Sequence, residues 1–251
     1  MVYKIQIISK EEKAHSAIFS FTRSDFENSQ HPPLLTFHTN RNHSIIACRD
    51  QPNSFFGLVE EVRTNDIEFD RRISEIQCTD LQCYVLLERS YAENRQERCQ
   101  IFNKNFQFLD QINLPWTSEL GCRMFTLGDK EHLFKFEKGS KGSGVTLKVY
   151  HLSRSYKLTR RRKLEFEASP YGFSFRNFVL AREVDQGYVF LYLVSGRLKM
   201  ATISKNYLLL NQSSDSLNAA GVQCICRQGP EIWGWGGSEL MYFEPIYQLY
   251  E

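Results

Sequence analysis

Ile101-Phe-Asn-Lys-Asn-Phe106 is the first of three similar hexapeptides, followed by His151-Leu-Ser-Arg-Ser-Tyr156 and Thr202-Ile-Ser-Lys-Asn-Tyr207. Each contains a small polar residue, a basic residue, a second small polar residue and an aromatic residue, in that order. The copies recur at intervals of about 50 residues, which is a length typical of structural repeats. A strand-like stretch of apolar residues precedes each copy and another follows it. Because small polar residues favour tight turns, each copy is predicted to be the turn of a β-hairpin.

Most of the remaining chain consists of short segments that are typical of strands, rich in β-branched and aromatic residues. Two such segments precede each hairpin, for example CRMFTL at 122–127 and HLFKFE at 132–137. No stretch combines three helical turns of apolar residues with a capping signal. Four strands in each unit of about 40–50 residues indicate the blade of a β-propeller, in which neighbouring blades cover each other's apolar faces.

We therefore predict an all-β fold, a β-propeller of about five four-stranded blades with an additional N-terminal hairpin. The predicted propeller covers residues 34–251, with blades at about 34–75, 76–115, 118–167, 170–212 and 216–251. Residues 1–33 are predicted to form the hairpin from KIQIIS and AIFSF, followed by a break at His31-Pro32-Pro33. This hairpin is a candidate for closing the ring by pairing with the last blade. A six-bladed ring and an incomplete ring are the alternatives.

The strand pattern resembles the WD-type β-propellers over most of the chain. The resemblance lies in the grouping and spacing of the strands, since no Trp-Asp pair ends a strand and no Gly-His pair opens a blade. It is therefore WD-repeat-like and points to no specific family. The resemblance implies a ring-shaped platform that binds other proteins.

Overall composition sets limits on location and partners. The 251-residue chain has a net charge of +2, so its total charge directs it neither to nucleic acid nor to a membrane. Its longest apolar run, YVFLYLV at 188–194, is far shorter than the roughly 20 residues of a membrane-spanning helix, so no transmembrane segment is predicted. The N-terminal segment lacks the apolar core of a signal peptide. Seven cysteines, an odd number, then favour reduced thiols and a cytoplasmic or nuclear location.

Charge is distributed unevenly, because only basic charged residues occur between Lys138 and Lys163. Clustered Arg and Lys side chains suit phosphate and carboxylate oxygens. The predicted anion-binding residues are Arg154, Lys157, Arg160, Arg161, Arg162 and Lys163. Their ligand would be an acidic protein partner, nucleic acid or a phosphoinositide.

The alternative interpretation is that YKLTRRRKLEF, at 156–166, is the outermost strand of its blade. Exposed edge strands carry Lys and Arg because these residues prevent edge-to-edge pairing. Strand alternation would place Lys157, Arg161 and Lys163 on one face of the sheet and Arg160 and Arg162 on the other.

Three tryptophans are the candidate anchors for a protein partner, because tryptophan is enriched in interface hot spots. They are Trp116, which follows Pro115 in a predicted loop, and the pair Trp233 and Trp235 in a glycine-rich strand. The alternative is that Trp233 and Trp235 fill the space between two blades.

Signals for catalysis and for metal binding are weak. No Gly-x-Ser-x-Gly elbow is present, and the carboxylates are scattered along the chain. Cys224 and Cys226 lack a partner pair at zinc-finger spacing, so core packing is the preferred interpretation. We predict no catalytic residue, no metal and no cofactor. The predicted function is a non-catalytic interaction scaffold in a multiprotein complex. Binding of nucleic acid or anionic lipid through 138–163 is the alternative, and a propeller-fold hydrolase is the third hypothesis.

Overall fold

The computed structural model describes part of the chain in detail. The described residues are 2–8, 35–40, 43–47, 53–59, 62–64, 66–79, 81–88, 97–114, 120–139, 144–212, 217–218, 224–228, 231–236 and 239–248. Side chains are described at 53–55, 64, 66–79, 81–88, 97–114, 120–139, 144–212 and 225. All structural statements below refer to these residues.

The described residues form five antiparallel sheets and no helix. The N-terminal strand β1 (Val2–Ile8) belongs to the last sheet. Blade one contains β2 (Leu35–Asn40), β3 (His43–Ala47), β4 (Ser54–Val59), β5 (Val62–Arg63) and β6 (Ile67–Glu68). Blade two contains β7 (Ile73–Cys78), β8 (Cys83–Leu87), β9 (Glu97–Phe102) and β10 (Phe108–Leu114). Blade three contains β11 (Gly121–Leu127), β12 (Lys130–Lys138), β13 (Val145–Leu152) and β14 (Leu158–Phe166).

Blade four contains β15 (Phe173–Val184), β16 (Gly187–Val194), β17 (Arg197–Ser204), β18 (Leu209–Gln212) and β19 (Leu217–Asn218). Blade five contains β20 (Cys224–Gln228), β21 (Glu231–Gly236) and β22 (Glu239–Gln248), with β1 as its outer strand. The first strands of successive blades contact one another in the order β2, β7, β11, β15 and β20. The chain is thus an all-β propeller of about five blades, which confirms the predicted fold class.

The apolar core lies between the blades. Phe55 of blade one packs with Phe102 and Phe106 of blade two, and all three are almost completely buried. Phe134 and Phe136 of blade three likewise pack with Phe190 of blade four. This arrangement follows from the sheet itself, because each central strand is apolar on both faces and needs a neighbouring blade on each side.

The N-terminal strand supplies the outer strand of the last blade. β1 pairs with β22 in antiparallel register, from Val2 opposite Gln248 to Ile8 opposite Tyr242. AIFSF at 17–21, the predicted hairpin partner of this strand, lies outside the described residues. The boundary at residue 33 and the role of this segment in ring closure stay predictions.

The three repeated hexapeptides form the same turn. In each, the backbone N–H of the aromatic residue donates to the carbonyl of the small polar residue three positions earlier, at 2.8–3.0 Å. The aromatic residue has a positive φ every time, 61° at Phe106, 55° at Tyr156 and 60° at Tyr207. Left-handed backbone costs a non-glycine residue about 1–2 kcal/mol, so a compensating interaction is expected.

That compensation comes from the preceding blade. The ring of Phe106 lies 6.2 Å from that of Phe55 in blade one. The hydroxyl of Tyr156 accepts a hydrogen bond from Gln82 Nε2 of blade two at 3.4 Å, and the hydroxyl of Tyr207 lies 2.6 Å from His132 Nε2 of blade three. The repeated aromatic residue therefore links each of these blades to the one before it.

Polar side chains on the inner strands also join successive blades. Gln77 on β7 donates to the carbonyl of Cys122 and accepts from the N–H of Met124, both at 2.7 Å, so it bridges blades two and three. Asn177 on β15 accepts from the N–H of Ile225 in blade five at 3.1 Å. Between these two junctions, the guanidinium of Arg123 donates to backbone carbonyls of blade four. These bonds fix the relative positions of the blades.

Candidate functional site

β14 is the outer edge strand of blade three and carries the basic run. Its ends are anchored by apolar side chains, since Leu158 lies opposite Leu152 and Phe166 is 4% exposed. Between these anchors the residues at 159–163 are exposed, whereas Leu164 is buried in the core. The predicted anion-binding residues Arg154, Lys157, Arg160, Arg161, Arg162 and Lys163 are all exposed. The structure therefore brings the six residues together along one strand and the turn before it.

A β-bulge at Arg161 changes the predicted distribution of these side chains. Arg160 lies opposite Tyr150, whereas Arg162 lies opposite the adjacent Val149, so Arg161 is the extra residue. Lys163 lies opposite Lys148, which shares a face with Tyr150. Arg160 and Lys163 therefore share the face toward blade two. The predicted simple alternation is wrong at this point, because it would have put Arg160 with Arg162.

The opposite face of β14 looks toward blade four. Arg162 shares it with Val149, which packs in the cluster between blades three and four. The bulged Arg161 also turns this way, because its Nη2 lies 3.3 Å from Nδ1 of His151. A bulge commonly re-aims a side chain in this manner.

Carboxylates neutralise only part of this basic surface. Lys163 pairs with Glu165 at 2.6 Å, and Lys148 pairs with Glu137 at 2.5 Å. Partial burial would raise the pKa of Glu137, but hydrogen bonds from Lys135 and Lys148 outweigh it and lower the pKa. Within the described part of the chain, no carboxylate lies within ion-pair distance of Arg154, Lys157, Arg160 or Arg162.

A cluster of histidines lies beside Arg161 at the junction of blades three and four. His132 on β12 lies opposite His151 on the adjacent strand β13, and the centroids of their rings are 5.5 Å apart. His132 is 1% exposed, whereas His151 is half-buried. The ring of Tyr207, from the repeated turn of blade four, lies 5.3 Å from that of His132.

Hydrogen-bond chemistry fixes the protons of both rings. Nδ1 of His132 lies 3.0 Å from the carbonyl of Lys130, and a carbonyl can only accept, so Nδ1 carries the proton. Nε2 of His132 then accepts from the hydroxyl of Tyr207 at 2.6 Å. Because a guanidinium can only donate, Nδ1 of His151 accepts from Arg161 and the proton of neutral His151 sits on Nε2.

Burial and positive neighbours both act on these histidines. Burial lowers the pKa of His132 to about 4 against the opposing effect of its hydrogen bond to the carbonyl of Lys130, and the charges of His151, Arg161 and Lys130 add to the lowering. Burial and the charges of Arg161 and Lys130 also lower the pKa of His151. Both rings are therefore neutral at pH 7 and lie in a positive local field.

The sequence alone did not predict that these two histidines lie together with Lys130 and Tyr207. Lys130, His132, His151 and Tyr207 are separated along the chain, and none belongs to a metal-binding or catalytic motif. Only the register of β12 with β13, and the contact of Tyr207 with the preceding blade, bring them together. The repeat itself offered one signal, since His151 and Tyr207 both belong to repeated hexapeptides.

The predicted tryptophan anchors remain untested. Trp116 lies outside the described residues. Trp233 and Trp235 lie on β21, an interior strand of blade five, opposite Cys226 and Cys224 respectively. The side chains of these four residues lie outside the described ones.

The described residues contain no group of three or more His, Cys, Asp or Glu side chains that could hold a metal ion. Within the same ranges, no helix has the length and apolar character needed to cross a membrane.

Comparison with known proteins identifies no family. No protein-family model and no curated protein sequence matches the chain. Among solved structures, a protein described as functionally unknown from Desulfotomaculum acetoxidans matches with a TM-score of 0.48 and 12% identity. That alignment covers 81% of this chain and 62% of the other, so this chain spans less than two thirds of that protein.

Two other solved structures are similar at the same low level. BBS1N, in a complex with ARL6DN, matches with a TM-score of 0.46 and 9% identity, covering 86% of this chain and 78% of the other. BamB from Moraxella catarrhalis matches with a TM-score of 0.33 and 6% identity, covering 84% and 81%. The WD-repeat-like character stays a prediction.

Proposed function

We propose that this protein is a non-catalytic interaction platform, whose β14 strand binds an acidic, extended segment of a protein partner. The observation that carries the proposal is a nine-residue edge strand on which Arg160 and Arg162 are exposed and, within the described part of the chain, unpaired by any carboxylate. An opposite charge placed there would gain Coulomb energy without first breaking a salt bridge.

The distribution of charge over two faces favours an extended chain. Arg161 and Arg162 lie on the face toward blade four, whereas Arg160 and Lys163 lie on the face toward blade two. Side chains of an extended peptide also alternate between two sides, so acidic residues of one segment can reach both sets. A membrane surface presents its charge in one plane and would meet only one set. We therefore prefer a protein segment to anionic lipid.

A binding experiment with defined peptides tests the proposal. The probe is a nine-residue peptide rich in Glu, matched in length to β14, and fluorescence anisotropy measures its affinity. Changing Arg160, Arg161 and Arg162 together to Gln should weaken binding at least about tenfold, because three charge-assisted contacts are lost. The matched control changes three other exposed basic residues to Gln, namely Arg72, Arg197 and Lys205. It should leave the affinity within about twofold.

The same variants distinguish the alternatives. If edge protection is the role of the basic run, the β14 variant should self-associate in analytical ultracentrifugation. A peptide affinity unchanged in that variant would refute the proposed site. Binding of single-stranded nucleic acid with a steep salt dependence, lost in the β14 variant, would replace the protein partner by nucleic acid.

A further inference from the structure

The junction of blades three and four holds a group of hydrogen-bond donors beyond the general basic character of β14. Lys130 on β12, His151 on β13 and Arg161 on β14 come from three adjacent strands of blade three, and Nη2 of Arg161 lies 3.3 Å from Nδ1 of His151. Lys130 lies two residues before His132 and so shares a face of β12 with it, beside His151 on the neighbouring strand. Burial, and then the charges of Arg161 and Lys130, lower the pKa of His151. Buried His132 and the hydroxyl of Tyr207 lie behind them.

We propose that Lys130, His151 and Arg161 form a binding site for a phosphate monoester group, with His132 and Tyr207 as positioning residues. Two full positive charges match the two negative charges of a phosphate monoester near pH 7. Arg161 keeps further N–H donors after one nitrogen has bonded to His151. Nε2–H of neutral His151 adds a donor that carries no charge.

The positioning role follows from the hydrogen bonds of His132. Its Nδ1–H donates to the carbonyl of Lys130, and its Nε2 accepts from Tyr207, so the ring is held from both sides. The ring of His151 packs beside it, with centroids 5.5 Å apart. Arg161 is the extra residue of the bulge, so its side chain does not follow the regular alternation of the strand and instead contacts His151. The donors are thereby oriented before a ligand arrives, which reduces the entropy lost on binding.

A phosphate monoester fits this group better than a carboxylate does. A carboxylate offers a single charge and two oxygens in one plane, which one guanidinium can satisfy alone. Phosphate offers three terminal oxygens and about two charges, matching three donors that approach from three strands. We assign the phosphate group to a phosphorylated side chain in the acidic segment that binds along β14. This assignment rests on the proposed function.

Inorganic phosphate is the direct probe of the site. It is titrated at constant ionic strength into the full chain, and the imidazole NMR signals of the six histidines are recorded. We expect a saturable shift of the His151 signal. Arg161→Gln should weaken phosphate binding about tenfold, because a charge-assisted hydrogen bond is lost. Arg197→Gln is the matched control, since it removes the same charge from an exposed arginine of blade four outside β14, and should change affinity less than about twofold.

Two results would overturn the site. The first is the lack of a saturable shift of His151 in the wild-type protein. The second is an equal loss of affinity in Arg161→Gln and Arg197→Gln, which would show that phosphate senses only the overall charge of the protein. Arg161→Lys adds a further check, because an ammonium has no planar fork. It should bind phosphate more weakly than the wild type and more tightly than Arg161→Gln.

Peptides and vesicles then test the source of the phosphate. A nine-residue acidic peptide with one phosphoserine should bind about tenfold more tightly than the same peptide with Glu at that position. This advantage should disappear in Arg161→Gln. Equal affinities of the two peptides would refute recognition of a phosphorylated side chain. Failure of both peptides, with inorganic phosphate still bound, would refute the proposed function and retain the site. Arg161-dependent binding to phosphoinositide vesicles, without peptide binding, would assign the site to a membrane headgroup.

Discussion

Acidification should destabilise this protein through His132, and the size of the effect can be worked out from its surroundings. The pKa of His132 is about 4 in the folded protein, against 6.5 for a free histidine side chain. Above pH 6.5 the ring is neutral in both the folded and the unfolded chain, so it adds no dependence on pH. Between pH 6.5 and 4 the unfolded chain takes up a proton that the folded chain does not.

The free energy of unfolding should therefore fall as the pH is lowered through this window. One pKa unit corresponds to about 1.4 kcal/mol, so His132 should remove about 3 kcal/mol of stability by pH 4. Below pH 4 both states bind the proton, and the contribution stops changing. Burial is the main cause of the shift, and the charges of His151, Arg161 and Lys130 add to it.

The assay is urea denaturation at pH 7.0, 6.0, 5.0 and 4.0, on the wild type and on His132→Gln. The variant loses two hydrogen bonds, so it should be less stable at pH 7. Its stability should nevertheless fall less steeply with acid, because it has no imidazole to titrate at that position. The two curves should thus converge by about 3 kcal/mol between pH 7 and pH 4. Parallel curves would refute the reasoning, since every other titrating group is common to both proteins.

Three further predictions concern the contacts between blades, each measured by urea denaturation or thermal melting. Phe106→Ala should destabilise the protein by about 3–5 kcal/mol through loss of the buried ring, whereas Phe106→Gly should cost about 1 kcal/mol less because glycine relieves the positive φ; equal losses would refute the strain argument. Gln77→Leu should cost about 2–4 kcal/mol by leaving the N–H of Met124 and the carbonyl of Cys122 without their bonds, and an unchanged stability would show that this bridge is dispensable. Deleting residues 1–8 should lower the melting temperature and promote self-association, because β22 then becomes an exposed edge; a monomer with unchanged melting temperature would refute a role for β1 in closing the last blade.

The repeats made the fold predictable from the sequence. The hexapeptides ending at Phe106, Tyr156 and Tyr207 mark three hairpins, and their spacing leaves room for two more strands in each unit. The sequence offered no reason to expect the aromatic residue at the left-handed position, where glycine is the common choice. That choice depends on a contact with the preceding blade, which no local pattern encodes.

The candidate site was predicted only in part, for two physical reasons. The exposed positions of Arg160 and Arg162 follow from the charge of β14, since long basic side chains belong at a solvated edge. The orientation of Arg161 does not follow, because a bulge shifts the two-residue period and leaves no clear trace in composition. His132 and His151 become neighbours through strand register alone, and Tyr207 reaches them from another blade.

The pairing of β1 with β22 has a consequence for how the protein is made. The first of these strands is synthesised before blades one to four, whereas its partner at 239–248 is synthesised only after them. During that interval blade five cannot form, and β1 lacks the strand with which it pairs in the folded protein. Until the C-terminal blade has been translated, the edge of β1 that pairs with β22 stays exposed, and a chaperone that binds free strand edges would act during this stage.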